Sequence, residues 1–531
     1  MSQRHETDVL IIGGGISAAL MAEKLAERQS ASSIIVVEAG QKIFDVENRM
    51  RYRQRMLEYG ENPWPGDTIG DQSGVGIISR TMAVGGSALH WGGVTNRFSA
   101  EDLRLKSLYG LAVDWPIGWD ELERYYCEAE RRIGVAGEPG PLAEDRRSEP
   151  YPMPPMPLSY NLRQLKTWAE QSSVPFWGTP QAKNTVAYGG RAVCQRCNTC
   201  EICPTGARYS PDFTFQALLE KRAMTLHDRT LVRRLIVDDK TTRIVAAQAV
   251  NRATGEMVEY RARRFVLAAG YAWTPHLLLL STSSRFPNGL ANRSALVGRY
   301  MTGHAFVGAQ VEMDLTLYPG MNEQHSLISR QFFRCRADAP YLRHDYRIWE
   351  SNAGREPRLR EGDGGPLLLG DALLADWRKR TARGAARVRA YYDVHPDPSS
   401  ALTLDPAARN KWGDPLPKIE HRIDTASRDR EQTTRDQILD RFRQLARAKN
   451  GTVLSTSIGR YLDHPCGGCR MGTDPASSVC DSHGRAHDHD NLFIVGAPTL
   501  PTGGCTNGTL TFTALTLRSA DALAALSGTR D

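Results

Sequence analysis

The sequence predicts an α/β protein with a second, α+β part inserted into it. Three observations carry this. Apolar residues 9–12 run into a glycine turn, an amphipathic helix and a second apolar run that ends in an acid. Buried-type apolar runs recur far along the chain, at residues 235–237, 265–268 and 492–495. Between the last two, residues 397–424 alternate strand-like runs with turn signals such as Trp412, Gly413, Asp414 and Pro415.

The first unit reads DVLIIGGGISAALMAEKLAE from Asp8. A short, fully apolar run is what a central parallel strand needs, because both of its faces are covered. Gly13 permits the tight turn, and Gly15 lets main chain approach a pyrophosphate. Ala18 is the third small residue, where helix and strand pack closely. The helix predicted over residues 19–27 offers unpaired N–H groups and the positive end of its dipole. Residues 34–37 form the second strand, and Glu38 at its end is placed to accept hydrogen bonds from ribose hydroxyls. An acid there disfavours a 2′-phosphate, which leaves FAD or NAD as the dinucleotide.

At 531 residues, 41% hydrophobic and 24% charged, the chain is long enough for two or more folding units with substantial cores. The net charge of +7 is diffuse, which argues against a nucleic-acid partner. The densest basic run is Arg378, Lys379 and Arg380 with Arg383, Arg387 and Arg389, and it reads as the solvated face of a helix. No run of 18 apolar residues is present, so no membrane span is expected. The N-terminus enters a strand at once without a cleavable signal. It predicts a cytoplasmic protein, or a periplasmic one where a partner subunit carries it out.

Four of the ten cysteines are clustered: Cys194, Cys197, Cys200 and Cys203, at three equal spacings, followed by Pro204. This run resembles the ligand set of a bacterial ferredoxin-type iron–sulfur cluster, although the last gap there is usually one residue longer. Structural zinc sites usually hold two cysteine pairs apart, and zinc is the second reading. Disulfides or free thiols are the third. Elsewhere Cys466 and Cys469 form a C-x2-C, with Cys505 further on, and these read as small packed residues.

Residues 80–98, RTMAVGGSALHWGGVTNRF, have two glycine pairs and no regular period, so they predict a wrapped loop. This block resembles the flavin loop of the glucose–methanol–choline (GMC) oxidoreductases, with Gly85, Gly86 and Ser87 matching pyrophosphate and flavin contacts. His90 sits where some sugar-oxidising members attach FAD covalently through a histidine; the plain reading is a loop histidine packed on the ring. Further matches are Val232 on the adenine side, Gly270 opening the second signature, and Ala497 in the turn after residues 492–495. Tyr271, Trp273, Ser281 and Thr282 depart from that signature. Val297, Gly298 and Arg299, with His304 downstream, mark the exit toward the substrate part.

The resemblance implies a Rossmann-like FAD-binding domain of GMC type with an inserted antiparallel-sheet substrate domain. The implied boundaries are 1–150, 207–304 and 456–531 for three parts of the FAD-binding domain. Residues 151–206 form a connector carrying the cysteine segment, and residues 305–455 the substrate-binding domain. Residues 397–424 resemble the sheet that roofs the active site, and residues 429–447 have helical spacing. His464 matches the family's catalytic histidine and Asn507 its second active-site position. His464 is then the base that takes a hydroxyl proton, and Asn507, which cannot titrate, orients the substrate oxygen.

The closest likeness is to bacterial FAD-dependent sugar dehydrogenases, which implies oxidation of a sugar or sugar-like hydroxyl to a carbonyl. Electrons then pass through an iron–sulfur cluster to an acceptor protein or cytochrome, with a small subunit as partner. A [4Fe–4S] centre on all four cysteines is favoured over a [3Fe–4S] centre on three. Two alternatives stand beside this. One is a cytoplasmic biosynthetic dehydrogenase or oxidase acting on an aminosugar or other alcohol. The other is a non-catalytic flavin and iron–sulfur electron carrier.

Overall fold

The computed structural model describes residues 3–43, 70–71, 81–142, 147–197, 200, 202–238, 240–318, 325–334, 341–351, 358–361 and 364–527. In chain order the strands and longer helices are β1 (Gln3–Ile12), α1 (Ile16–Glu27), β2 (Ile34–Val37), β3 (Gly70–Asp71), α2 (Trp119–Ile133), α3 (Tyr160–Glu170), β4 (Trp177–Gly178), α4 (Pro211–Glu220), β5 (Thr225–His227), β6 (Thr230–Val237), β7 (Ile244–Asn251), β8 (Met257–Leu267), α5 (Gly270–Leu280), β9 (Thr302–Met313), β10 (Leu327–Phe332), β11 (His344–Glu350), α6 (Gly370–Thr381), β12 (Gly384–Asp393), β13 (Ala401–Arg409), β14 (Pro415–Glu420), α7 (Thr425–Arg447), β15 (Thr452–Cys466), β16 (Leu492–Ile494) and α8 (Thr509–Ser527).

The apolar run 9–12 is the inner end of β1, and its side chains are all buried. β1 pairs in parallel with β2 on one side and β8 on the other, and β2 pairs with β5. The first half of β8 pairs with β7 and its last three residues pair with β16, so one strand edge serves two partners. The seven-stranded sheet thus joins the two ends of the chain. On one face Ala18, Ala19, Ala22 and Leu25 of α1 pack with Phe215 of α4 and Ala520 and Leu523 of α8. On the other, Leu277 and Leu278 of α5 lie against Leu235, Phe265 and Leu267. An α/β fold with both sheet faces covered is what the apolar runs predict.

A six-stranded sheet, in the order β15-β9-β12-β11-β10-β4, forms the second unit. Its strands alternate cleanly. Ala386, Val388, Ala390 and Tyr392 of β12 enter a core with Ala305, Val307 and Ala309 of β9, beneath α3 and α7. The opposite face of β12 therefore carries Arg387, Arg389, Tyr391 and Asp393, and that of β9 carries His304 and Phe306. The helix α7 begins at Thr425, four residues before the predicted start, because the Asp424 carboxylate accepts from the Ser427 N–H at 2.7 Å.

Two expectations are corrected. Residues 397–424 do not belong to the sheet that faces the active site. β13 and β14 form a hairpin that pairs with β3, and Leu402 and Ile419 pack against Tyr271 and Ala272 of α5. The turn signals were local and legible, but what the hairpin packs on depends on distant residues. The basic run is likewise not one helix face. Arg378 and Lys379 are on α6, whereas Arg387 and Arg389 lie on β12, because the helix ends before Gly384. Among the described residues no helix is long and apolar enough to cross a membrane.

Candidate active site

Two glycine turns face each other at the C-terminal edge of the parallel strands. Gly13 has φ +111°, and a Cβ there would stand 2.5 Å from the Ala268 carbonyl oxygen. Gly15 caps α1, and a Cβ on it would meet nothing within 4 Å. Across from it, the Gly85 N–H donates to the Gly14 carbonyl at 2.7 Å, and a Cβ on Gly86 would lie 3.2 Å from Gly15 Cα. Ser87 is exposed and His90 half-buried on the short 3-10 turn that follows. Ala18 is buried inside the α1 core, and Val232 is buried on β6. Gly270, with φ +82°, opens α5.

Glu38 sits at the end of β2, as its position in sequence predicts. Its carboxylate accepts from the Gly14 N–H at 2.6 Å and the Gly40 N–H at 2.7 Å, and so ties the glycine turn to the loop after β2. Burial pushes its pKa up to about 7, against the pull of those two N–H groups. Each oxygen keeps acceptor capacity for a further donor.

His464 lies on β15 where pairing with β9 slips twice, between Arg460 and Asp463 and again between Asp463 and Cys466. Its backbone is left-handed, φ +60°, a strained state for a non-glycine residue that the bulge imposes. The turn that follows needs glycine: a Cβ on Gly467 would stand 2.2 Å from the Tyr300 carbonyl oxygen. The Gly467 N–H donates to the Ala497 carbonyl at 3.1 Å, which fixes this strand end to the turn after β16.

The imidazole of His464 is held from both sides. Its Nε2 lies 2.5 Å from Asn507 Nδ2, and its Nδ1 lies 2.8 Å from His304 Nε2. An amide nitrogen only donates, so His464 Nε2 carries the lone pair. The proton is then on Nδ1, which donates to His304. His304 is fully buried, and burial holds its pKa well below the ordinary value, with the charges of His464 and Arg347 acting the same way. It stays neutral and can accept. Asn507 is buried too, and its Oδ1 has no hydrogen-bond partner among the described residues. Next to it, Thr506 Oγ1 accepts from Asn96 Nδ2 at 2.9 Å and from Arg347 Nη2 at 3.0 Å, and Arg347 is paired with Asp345 at 2.8 Å.

The structure thus brings the two predicted residues, His464 and Asn507, into direct contact. His304 appears in the sequence only as a marker downstream of Gly298, Asn96 lies within the 80–98 block without a role assigned to it, Thr506 only adjoins Asn507, and Asp345 and Arg347 carry no motif. Cys466, Cys469 and Cys505 are buried thiols whose pKa values burial raises far above the ordinary value, which suits packed small residues.

Cys194, Cys197, Cys200 and Cys203 line one pocket, with Lys183 and Arg208 also on its wall. Burial raises the Cys200 pKa despite Lys183 and Arg208. Burial acts in the same sense on Cys203, but hydrogen bonds from the Arg208 main chain and Thr205 outweigh it and lower the value. Among the described residues no three His, Cys, Asp or Glu side chains are gathered closely enough to hold a metal ion. The four cysteines therefore share a pocket without forming a closed ligand set.

Two sequence profiles of the GMC oxidoreductases match the chain, at residues 183–306 and 396–516. The fructose dehydrogenase large subunit of Gluconobacter japonicus is 32% identical over 554 aligned residues, covering 97% of each chain. This chain belongs to the GMC oxidoreductase family. The GMC chain is also similar to the 6'''-hydroxyparomomycin C oxidase of Streptomyces lividus, at 28% identity over 97% of this chain and 91% of that one. With the 2-methyl-1,2-propanediol dehydrogenase of Mycolicibacterium austroafricanum it shares 27% identity over 97% and 95% of the two chains. The same fold is seen in the crystal structure of pyridoxine 4-oxidase from Mesorbium loti, with TM-score 0.64 and 18% identity over 97% of this chain and 99% of that one. It is seen again in the formate oxidase of Aspergillus oryzae RIB40, with TM-score 0.68 and 14% identity over 98% of both chains. GMC oxidoreductases bind FAD, and the open space at Gly15, beside the α1 N-terminus and the Gly85–Gly86 pair, fits a dinucleotide pyrophosphate.

Proposed function

We propose that this GMC oxidoreductase oxidises a CH–OH group of a sugar or sugar-like polyol to a carbonyl, with His464 as the base. The observation that carries the reading is the direct contact of His464 Nε2 with Asn507 Nδ2 at 2.5 Å, beside an Asn507 Oδ1 that is buried without a hydrogen-bond partner among the described residues. A substrate hydroxyl that displaces this contact, the two nitrogens moving apart around it, would donate its proton to Nε2 and accept from Nδ2. Asn507 Oδ1 is then an acceptor for a neighbouring hydroxyl, a feature of vicinal polyols. As His464 gains the proton, its Nδ1–H bond to the neutral His304 spreads the new charge. Gly13, Gly15, Glu38, Gly85, Gly86 and Ser87 would hold FAD, which would supply the hydride acceptor, and His90 is the candidate covalent anchor.

From their even spacing, and from the buried cations Lys183 and Arg208 on the same pocket wall, we infer that Cys194, Cys197, Cys200 and Cys203 would hold an iron–sulfur centre, although their side chains as placed are not gathered around a metal. Such a centre supplies one-electron transfer to an external acceptor protein or cytochrome. The relative from Gluconobacter japonicus is named as a large subunit, which favours a small partner subunit here too. A second reading, oxidation of an aminosugar alcohol, is supported by similarity to the paromamine 6'-oxidase of Streptomyces fradiae and to the enzyme from Streptomyces lividus.

A panel of sugars, polyols and aminoglycosides, tested anaerobically with an artificial electron acceptor and then in air, separates these readings. Sugar-dependent dye reduction supports the first, and aminoglycoside-specific turnover the second. His464→Ala should lower turnover about 100-fold or more. If no alcohol reduces the bound flavin, or if His464→Ala turns over like the wild type, the catalytic reading fails.

A further inference from the structure

The chain around Asn507 lacks a main-chain framework of its own. Thr502 is anchored, since its hydroxyl accepts from Trp115 Nε1 at 3.0 Å, and α8 begins at Thr509. Between them run Gly503, Gly504, Cys505, Thr506, Asn507 and Gly508. Among the described residues, the main chain of Cys505, Thr506 and Asn507 makes no hydrogen bond to other main chain. Side chains must hold it instead. The Asn507 amide has one such bond, to His464 Nε2, and a substrate hydroxyl that takes up this contact removes it.

The neighbouring Thr506 hydroxyl is the better anchor. It accepts from Asn96 Nδ2 at 2.9 Å and from Arg347 Nη2 at 3.0 Å, and it donates to Asp345 Oδ2 at 3.5 Å. One donor and two acceptor sites are the whole capacity of a hydroxyl. All four residues are buried, and they come from three parts of the fold: Asn96 from the loop of residues 80–98, Asp345 and Arg347 from β11, and Thr506 from the C-terminal segment. The β11 arm is itself braced. Asp345 Oδ2 accepts from Arg347 Nε at 3.0 Å, and Asp345 Oδ1 accepts from the Tyr391 N–H at 3.1 Å. The Arg347 guanidinium lies 4.7 Å from the centre of the Tyr391 ring. Turning the Thr506 hydroxyl away would strand a buried amide and a buried guanidinium without their acceptor, which is costly.

We propose that Thr506 is a positioning residue for the reaction. Its hydroxyl is the joint through which the Asn96 loop and the Asp345–Arg347 pair set where the Asn507 amide stands once substrate has displaced it from His464. The proposal rests on reading Asn507 as the residue that orients the substrate oxygen. An orienting group works only at the right distance and angle, and a misplacement of about 1 Å costs on the order of 100-fold in rate. Loss of the joint therefore shows in the chemical step and not in substrate affinity.

The complete, flavin-loaded enzyme is compared as wild type, Thr506→Val, Thr506→Ser, Asn96→Leu and Asn507→Leu, and as the double variants that add Asn507→Leu to Thr506→Val and to Asn96→Leu. Anaerobic stopped-flow mixing with the alcohol of the panel that is turned over fastest separates the rate of flavin reduction from the apparent Kd, and absorbance gives the flavin content. Thr506→Val should slow reduction about tenfold, with apparent Kd and flavin content within about twofold of the wild type. Thr506→Ser keeps the oxygen and should recover most of the rate. Asn96→Leu removes one donor from outside the segment and should show a smaller loss of the same kind, so the test does not hang on the folding of Thr506→Val. In the Asn507→Leu background either change should cost less than about twofold more, because a joint that acts through Asn507 then has nothing to position. Wild-type rates in Thr506→Val and Asn96→Leu, a loss that multiplies in full with that of Asn507→Leu, or a lowered flavin content in place of a slower step overturns the proposal and leaves the catalytic reading standing. An Asn507→Leu enzyme whose flavin is reduced as fast as in the wild type overturns both.

Discussion

His304 Nε2 stands 2.8 Å from His464 Nδ1, and this contact decides which nitrogen of the His464 imidazole carries its lone pair. A neutral acceptor on the Nδ1 side requires the proton there, and the lone pair is then on Nε2, facing Asn507. Replacing His304 with Leu removes the acceptor and lets the imidazole rotate or change tautomer. Turnover should fall about 10²-fold with a much smaller change in KM. His304→Gln, which restores an acceptor oxygen, should recover part of the loss. Equal turnover in the two variants would remove His304 from this role.

Asn507 makes a separate prediction. Asn507→Leu keeps the volume but deletes both the donor to the substrate oxygen and the buried Oδ1. Turnover should drop about 10- to 100-fold through lost orientation. The loss should be larger for a vicinal diol than for a simple alcohol, because only the diol offers a second hydroxyl to Oδ1. Steady-state kinetics on matched mono-ols and diols measures the difference.

Gly15 separates cofactor space from packing space. A Cβ there touches nothing in the protein, so Gly15→Ala should leave the thermal stability of the flavin-free protein unchanged. The same methyl would fill the approach to the α1 N-terminus, and FAD affinity should fall about tenfold or more. Fluorescence titration with FAD reads the affinity and calorimetry the stability. A variant that binds FAD as the wild type does would place the dinucleotide elsewhere.

Three buried histidines set an acid limit on the fold. Burial lowers the pKa of His276 to about 4, of His344 to about 4 and of His325 to about 3. In the unfolded chain each takes up a proton near pH 6.5. Between those values the unfolded state binds more protons than the native one, so stability is complete above about pH 6.5 and is lost as pH falls toward 4. Thermal unfolding temperatures should decline across that window. His344→Phe, which keeps an aromatic partner for Phe332, should make the decline shallower.

The βαβ unit was legible because every part of it is contiguous, from Asp8 to Glu38, and its chemistry is local. His464 and Asn507 were legible as parts of two motif blocks. His304 was not, because its role depends on the register between β9 and β15, which joins residues 160 positions apart. Asp345 and Arg347 alternate on β11 like any exposed strand pair, and only burial against Thr506 gives them a task. The cysteine run announced itself by spacing, whereas Lys183 and Arg208 lie outside it and become its neighbours only when the chain folds back at Tyr209. Arg387 and Arg389 were misplaced because a helical spacing of basic residues carries no signal of where the helix stops.

The edge of β8 shared by β7 and β16 has a consequence for how the chain is made. The glycine turn and its helix leave the ribosome more than 400 residues before the strand β16 that extends their sheet and the helix α8 that covers α1. Lys24 of α1 waits for Asp521, which it meets at 2.8 Å. Until β16 and α8 are synthesised, the earlier strands present an open edge and α1 an uncovered apolar face.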